Sequence, residues 1–261
     1  MSWLDIHGTD IHYLEFGSGP PLLFLHGNGS SGLNWHQQID HFKAKYRVIA
    51  YDSINHGHSA NSARNEPEPD RVDELEGVLA ALGIQHPVLC GHSMGGSTVL
   101  RWACRHPTDA RALIVSGSGI ARTGSGAPRA AEPLPESAAF LPPSAGTFTE
   151  DWVRAHPREM DRYAQLRSTG TRLEAQRHPR AATATNPSRD SGELAARAAS
   201  ITSPLLAIVG REDAAYESAR HLYEIVPRAH IEVLDGNAHN EYYQSAAEFN
   251  RRVESFLLSR T

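Results

Sequence analysis

The chain has 261 residues, 40% of them hydrophobic, enough for one domain with a substantial core or for two small ones. A formal net charge of -5 argues against a nucleic-acid partner, and no stretch reaches the roughly 18 apolar residues of a membrane span. The two cysteines, Cys90 and Cys104, are too few for a disulfide framework and fit a reducing compartment. The start, Met-Ser-Trp-Leu-Asp-Ile-His, lacks a basic segment followed by an apolar run, so the expectation is a cytoplasmic protein without a signal peptide.

In chain order, residues 3–16 alternate around His7-Gly8-Thr9-Asp10 and predict an edge hairpin. Short, nearly continuous apolar runs follow at 21–25, 47–51, 87–90, 111–115, 205–209 and 231–234. Each is rich in Val, Ile and Leu and ends at a polar or glycine residue, as strands buried on both faces do. Helical patterns lie between them. The clearest is 71–82, with Asp70 as N-cap, Val72, Leu75, Leu79 and Leu82 on one face, and Gly83 as the stop. Residues 97–105, 216–226 and 245–258 also read as helix.

This alternation predicts an α/β fold: a mostly parallel, doubly wound sheet covered on both sides. Residues 118–201 interrupt it. Their first part is rich in Ala, Pro, Gly and Ser, 150–177 reads as helix broken near Pro157, and 193–200 as a short helix. An insertion of that length is too long for a plain crossover. The expectation is a core of 1–117 and 202–261 with a small helical cap over the sheet's C-terminal edge.

Gly91-His92-Ser93-Met94-Gly95 matches G-x-S-x-G and sits between a strand-like run and a helix-like run. A serine hydroxyl is a weak nucleophile unless a sharp strand-to-helix turn exposes it beside a base. That makes Ser93 the candidate nucleophile. The base should be a histidine oriented by a carboxylate, in the chain order Ser, Asp or Glu, His. His239 follows the last strand in Asp235-Gly236-Asn237-Ala238-His239, at the edge where Ser93 emerges. Asp213 follows the strand 205–209 and is the first candidate carboxylate, with Glu212, Asp235 and Asp52 as rivals.

Acyl transfer also needs donors for a developing oxyanion, usually backbone N–H groups. Met94 and Asn28, the latter in His26-Gly27-Asn28-Gly29, are the expected pair. Phe140, Leu141, Trp152 and Tyr163 are candidates for a substrate pocket or for packing within the cap. Asn55-His56-Gly57-His58-Ser59 could suggest a metal, but no further ligand has suitable spacing, so it reads as a structural loop and no metal is expected.

Four segments together resemble the α/β-hydrolase family: His26-Gly27 after the first internal strand, Gly91-His92-Ser93-Met94-Gly95-Gly96, Gly210-Arg211-Glu212-Asp213, and Gly236-Asn237-Ala238-His239. The likeness covers residues 3–117 and 202–261, and is nearest to the capped esterases and related small-molecule hydrolases. One segment departs from it. Where the family commonly has Asp-x-Arg-Gly-His-Gly-x-Ser, this chain reads Asp52-Ser53-Ile54-Asn55-His56-Gly57-His58-Ser59. A serine at 93 argues against haloalkane dehalogenases and epoxide hydrolases, whose nucleophile is aspartate.

The resemblance implies cofactor-free hydrolysis of a small ester or lactone through an acyl-enzyme. The alternatives are the same triad acting on a C–C or amide bond, perhydrolysis or acyl transfer, and a non-catalytic ligand-binding protein. The expected partner is a small ester-like molecule, with neither nucleic acid nor membrane. Oligomeric state stays open.

Overall fold

A computed structural model of the chain describes residues 2–62, 69–122, 146–170 and 191–259. Among them, eight strands form one sheet: β1 Ser2–Ile6, β2 Thr9–Phe16, β3 Pro21–Leu25, β4 Arg47–Tyr51, β5 Val88–His92, β6 Ala112–Ser116, β7 Leu205–Gly210 and β8 Ala229–Leu234. Their order is β1-β2-β4-β3-β5-β6-β7-β8. The first hairpin is antiparallel and joins β4 antiparallel; every pair from β4 to β8 is parallel.

The runs are continuous because both faces are covered. Leu23, Leu25, Ile49, Leu89, Leu113, Val115 and Ala207 face helices α2 Arg71–Ala81, α3 Met94–Arg105 and α7 Tyr216–Ile225. Their sequence neighbours Leu22, Phe24, Val48, Cys90, Ile114, Leu206 and Ile208 pack against α1 His36–Phe42 and α9 Ala246–Leu258. Successive strand residues point to opposite faces, which divides the core into these two clusters. Helix α2 starts where predicted: the Asp70 carboxylate accepts the N–H of Val72 at 2.7 Å and of Asp73 at 3.4 Å.

Three features differ from the sequence reading. A 3-10 turn over Gly32–Trp35 and α1 occupy a stretch read without helix; Trp35, Ile39 and Phe42 recur at helical spacing and are buried. The helix read over 245–258 is α9, and a short helix that was not read, α8 Glu241–Gln244, precedes it, divided from it at Ser245. Within the insertion lie α4 Glu150–Ala155, α5 Pro157–Gly170 and α6 Ser191–Ala198. Ala198 and Ile201 are buried in the cluster that holds α3 and α7, and α6 packs against those two helices. Phe140 and Leu141 lie outside the described residues. No described helix is long and apolar enough to cross a membrane.

Candidate active site

The chain turns sharply between β5 and α3, and Ser93 occupies the turn with φ 53° and ψ -111°. Left-handed backbone at a non-glycine residue costs about 1–3 kcal/mol. Burial of one or two aliphatic side chains offsets that, and Val88, Leu89, Val99 and Leu100 on either side are all buried. The turn admits no side chain at position 91 or 95. A Cβ at Gly91 would lie 2.2 Å from the Gly95 carbonyl oxygen, and one at Gly95 would lie 2.2 Å from that of Leu25. The register partner of Gly91 is Leu25, which sets the turn after β3, with Asn28, next to this one. Met94 is the first residue of α3, where a backbone N–H has no acceptor within the helix.

His239 follows β8, and its Nδ1 donates to Asp213 at 3.0 and 3.1 Å from the two carboxylate oxygens. With Nδ1 committed as donor, a neutral ring carries its lone pair on Nε2. Burial pushes the Asp213 pKa up, but the hydrogen bond and charge of His239 outweigh it and leave the pKa lowered. The rivals lie elsewhere. Glu212 is exposed, Asp235 is exposed and paired with Arg211 at 2.9 Å, and Asp52 accepts from His12 at 2.9 Å.

The His239 loop is held on several sides. Its N–H donates to Gly146 O at 3.2 Å, and that of Asn240 to Thr147 O at 2.9 Å. The Gln244 amide donates to Gly236 O at 2.6 Å. His92, beside Ser93, donates from Nε2 to the His239 carbonyl at 2.8 Å, and the two ring centroids are 4.7 Å apart. Burial, with repulsion from His239, lowers the His92 pKa to about 3, so its ring is neutral. The sequence reading passed over this histidine; its position next to the candidate nucleophile was the available signal.

Ser93 and His239 line one cavity of about 150 Å³, together with Asn28, Thr147, Tyr163, Arg167 and Asn240. Trp152 lies in the wall of a separate hollow of about 420 Å³, stacked on Phe148 and His156. Trp35 is buried against Phe24 and Tyr242. His26 donates from Nδ1 to Gly27 O at 2.8 Å and accepts the Ser53 N–H at 3.0 Å, which ties the Asn28 turn to the end of β4.

Two further groups sit near this framework. Glu241, two residues after His239, is fully buried and accepts from the Ser116 hydroxyl at 2.6 Å. Its other carboxylate oxygen is buried with no hydrogen-bond partner among the described residues. Burial, with Asp213 nearby, pushes its pKa well up. The loop read as lacking further metal ligands has company in space: atoms of His12, Asp52 and His58 lie within 4.8 Å of one another. Hydrogen bonding accounts for that grouping. Asp52 accepts the His12 ring and the His58 N–H, each at 2.9 Å, and the Gly32 N–H at 2.7 Å. Asp52 thus braces the loop after β4.

Residues 20–239 match a family model described as the alpha/beta hydrolase fold. A non-heme haloperoxidase of Rhodococcus erythropolis is 38% identical over 100 residues, covering 38% of this chain and 36% of that relative. In that match the chain spans little more than a third of the relative's length. A 2-hydroxymuconate semialdehyde hydrolase of Pseudomonas putida is 31% identical over 95% of this chain and 90% of its own. Among solved structures, the enol-lactonase from Burkholderia xenovorans LB400 superposes with a TM-score of 0.77 over 98% of this chain and 100% of that one, at 23% identity.

Proposed function

The chain belongs to the α/β-hydrolase family, and from that premise we propose that it is a serine hydrolase acting on a small carboxylic ester or lactone. One observation carries the proposal: a histidine bonded to a buried carboxylate shares a small cavity with a serine held in strained, left-handed backbone. The strain is explained if it serves to expose the hydroxyl.

In this reading His239 Nε2 takes the Ser93 proton as Ser93 Oγ attacks the substrate carbonyl. Asp213 keeps the imidazole in the tautomer with Nδ1 protonated and stabilises the imidazolium that forms. The N–H groups of Met94 and Asn28 receive the developing oxyanion. His239 then returns the proton to the leaving alcohol, and the acyl group stays on Ser93. Water, deprotonated by the same ring, releases the acid and restores the serine. These residues complete the cycle without a cofactor.

A second reading keeps the residues and changes the bond, to a carbon–carbon one. The relative that matches over 95% of the chain, a 2-hydroxymuconate semialdehyde hydrolase, favours it. A panel of p-nitrophenyl esters and lactones, assayed with the wild type and Ser93→Ala, tests the first reading. Loss of the serine should lower turnover on the order of 10⁶-fold. Hydrolysis largely retained in Ser93→Ala would overturn both readings. A wild type inactive on the whole panel would overturn the ester reading alone.

A further inference from the structure

Ser116, the last residue of β6, reaches both members of the candidate catalytic pair. Its carbonyl accepts the Ser93 N–H at 2.9 Å. Its hydroxyl donates to Glu241 Oε1 at 2.6 Å. Glu241 opens α8, two residues after His239. One residue of the sheet thus holds the nucleophile's backbone on one side and the base's loop on the other. Ser116 and Glu241 are both fully buried. The approach stays close at the next residue, where a Cβ at Gly117 would lie 3.1 Å from the His239 carbonyl oxygen.

A buried acid is a costly way to fill this space. An unsatisfied buried polar atom, as Glu241 Oε2 is among the described residues, costs about 1–3 kcal/mol. Charge does not offset that cost. Burial and the Asp213 carboxylate push the Glu241 pKa well up, so the side chain is a neutral acid. The other titratable groups that act with it are Cys90 on β5 and Tyr242 on α8, and burial keeps both protonated. Asp213, with its lowered pKa, is the ionised neighbour. What the acid supplies is an acceptor of fixed direction for the Ser116 hydroxyl, which an apolar side chain of the same size would lack.

We propose that Glu241 is a positioning residue for His239: through the Ser116 hydroxyl it locks the base's loop to the strand end that holds the Ser93 backbone. It acts through that hydrogen bond and not through charge. The proposal rests on the serine-hydrolase reading for the roles of Ser93 and His239, but the place of the His239 ring can be measured without turnover.

The test is a double-mutant cycle of Ser116→Ala and Glu241→Leu, assayed on the best p-nitrophenyl ester. The His92 bond to the His239 carbonyl remains in these variants, so the loop shifts without detaching. A misplacement approaching 1 Å costs about a hundredfold. Each single variant should therefore lower kcat by about 10–100-fold, with KM changing much less. The double variant should stay within about threefold of the worse single one, because both remove the same bond. Glu241→Gln, whose amide oxygen still accepts from Ser116, should recover most of the kcat lost in Glu241→Leu. The acid limb of its kcat/KM profile should coincide with that of the wild type. A limb moved to lower pH would mean that an ionised Glu241 raises the pKa of the base, and overturns the proposal. So do kcat values intact in both single variants, or losses that multiply in the double one. If Glu241→Leu does not fold, Ser116→Ala must show the loss and Glu241→Gln the unmoved limb. If the wild type cleaves no ester, the serine-hydrolase reading is the one that fails, and crystal structures of wild type and Ser116→Ala decide the proposal. A His239 ring displaced relative to Ser93 by about 0.5 Å or more supports it; a ring that stays in place overturns it.

Discussion

His92→Phe separates the turn that holds Ser93 from the loop that holds His239. The substitution keeps a flat ring of similar volume at a position only 4% exposed, so packing against Tyr242 and His239 survives. It deletes the Nε2 donor that meets the His239 carbonyl at 2.8 Å. A polar group left unsatisfied in the interior costs about 1–3 kcal/mol, which in a domain of this size lowers the melting temperature by several degrees. The catalytic cost follows from what remains. His239 keeps its bonds to Gly146 and Asp213, so its loop loosens without detaching. A displacement approaching 1 Å costs about a hundredfold in rate. We therefore expect kcat on the best p-nitrophenyl ester to fall by about 10–100-fold, with KM changing much less. Because burial keeps the His92 pKa at about 3, the ratio of variant to wild-type kcat should be flat from about pH 5 to 9. His92→Gln, which retains a donor, should recover part of kcat. A variant with lowered melting temperature but intact kcat would show that the contact stabilises the fold without positioning the base.

Asp213→Asn should lower kcat by about 10⁴-fold, because an amide facing Nδ1 favours the wrong tautomer; Glu212→Gln, at an exposed position, should stay near wild type in the same assay. Glu241→Gln tests the buried acid through stability. The folded-state pKa of Glu241 is raised, so the native state holds a proton that the unfolded chain releases above about pH 4.5. That favours the native state at low pH and is lost progressively as pH rises toward the folded value. Melting curves from pH 4 to 8 should show Glu241→Gln gaining on the wild type as pH increases; a difference of the opposite slope would mean that the ionised carboxylate is the stabilising form.

What could be read from the sequence divides along physical lines. Strands β3 to β8 are legible because burial on both faces demands unbroken apolar runs, and each ends within two residues of its expected position. Helix α1 carries the same kind of signal in Trp35, Ile39 and Phe42, but within an otherwise polar stretch of His, Gln and Asp. Ser93, Asp213 and His239 were nameable because each directly follows or closely trails a parallel strand, and such loops gather at one edge of the sheet. His92 and Arg167 were not nameable as contacts. Their partners are 147 and 138 residues away in the chain, and each pairing depends on how a loop or helix docks. His12 and Asp52 met His58 for a similar reason: the antiparallel pairing of β2 with β4 brings together residues 40 apart. Local spacing carries no trace of it.

The central claim is that Ser93 is the nucleophile, and labelling with a fluorophosphonate followed by peptide mapping tests it most directly. The account predicts one adduct per chain, on Ser93, formed in step with loss of esterase activity, absent in Ser93→Ala and slowed in Asp213→Asn. An active enzyme that stays unlabelled at Ser93, or that is inactivated by an adduct on another residue, would contradict it.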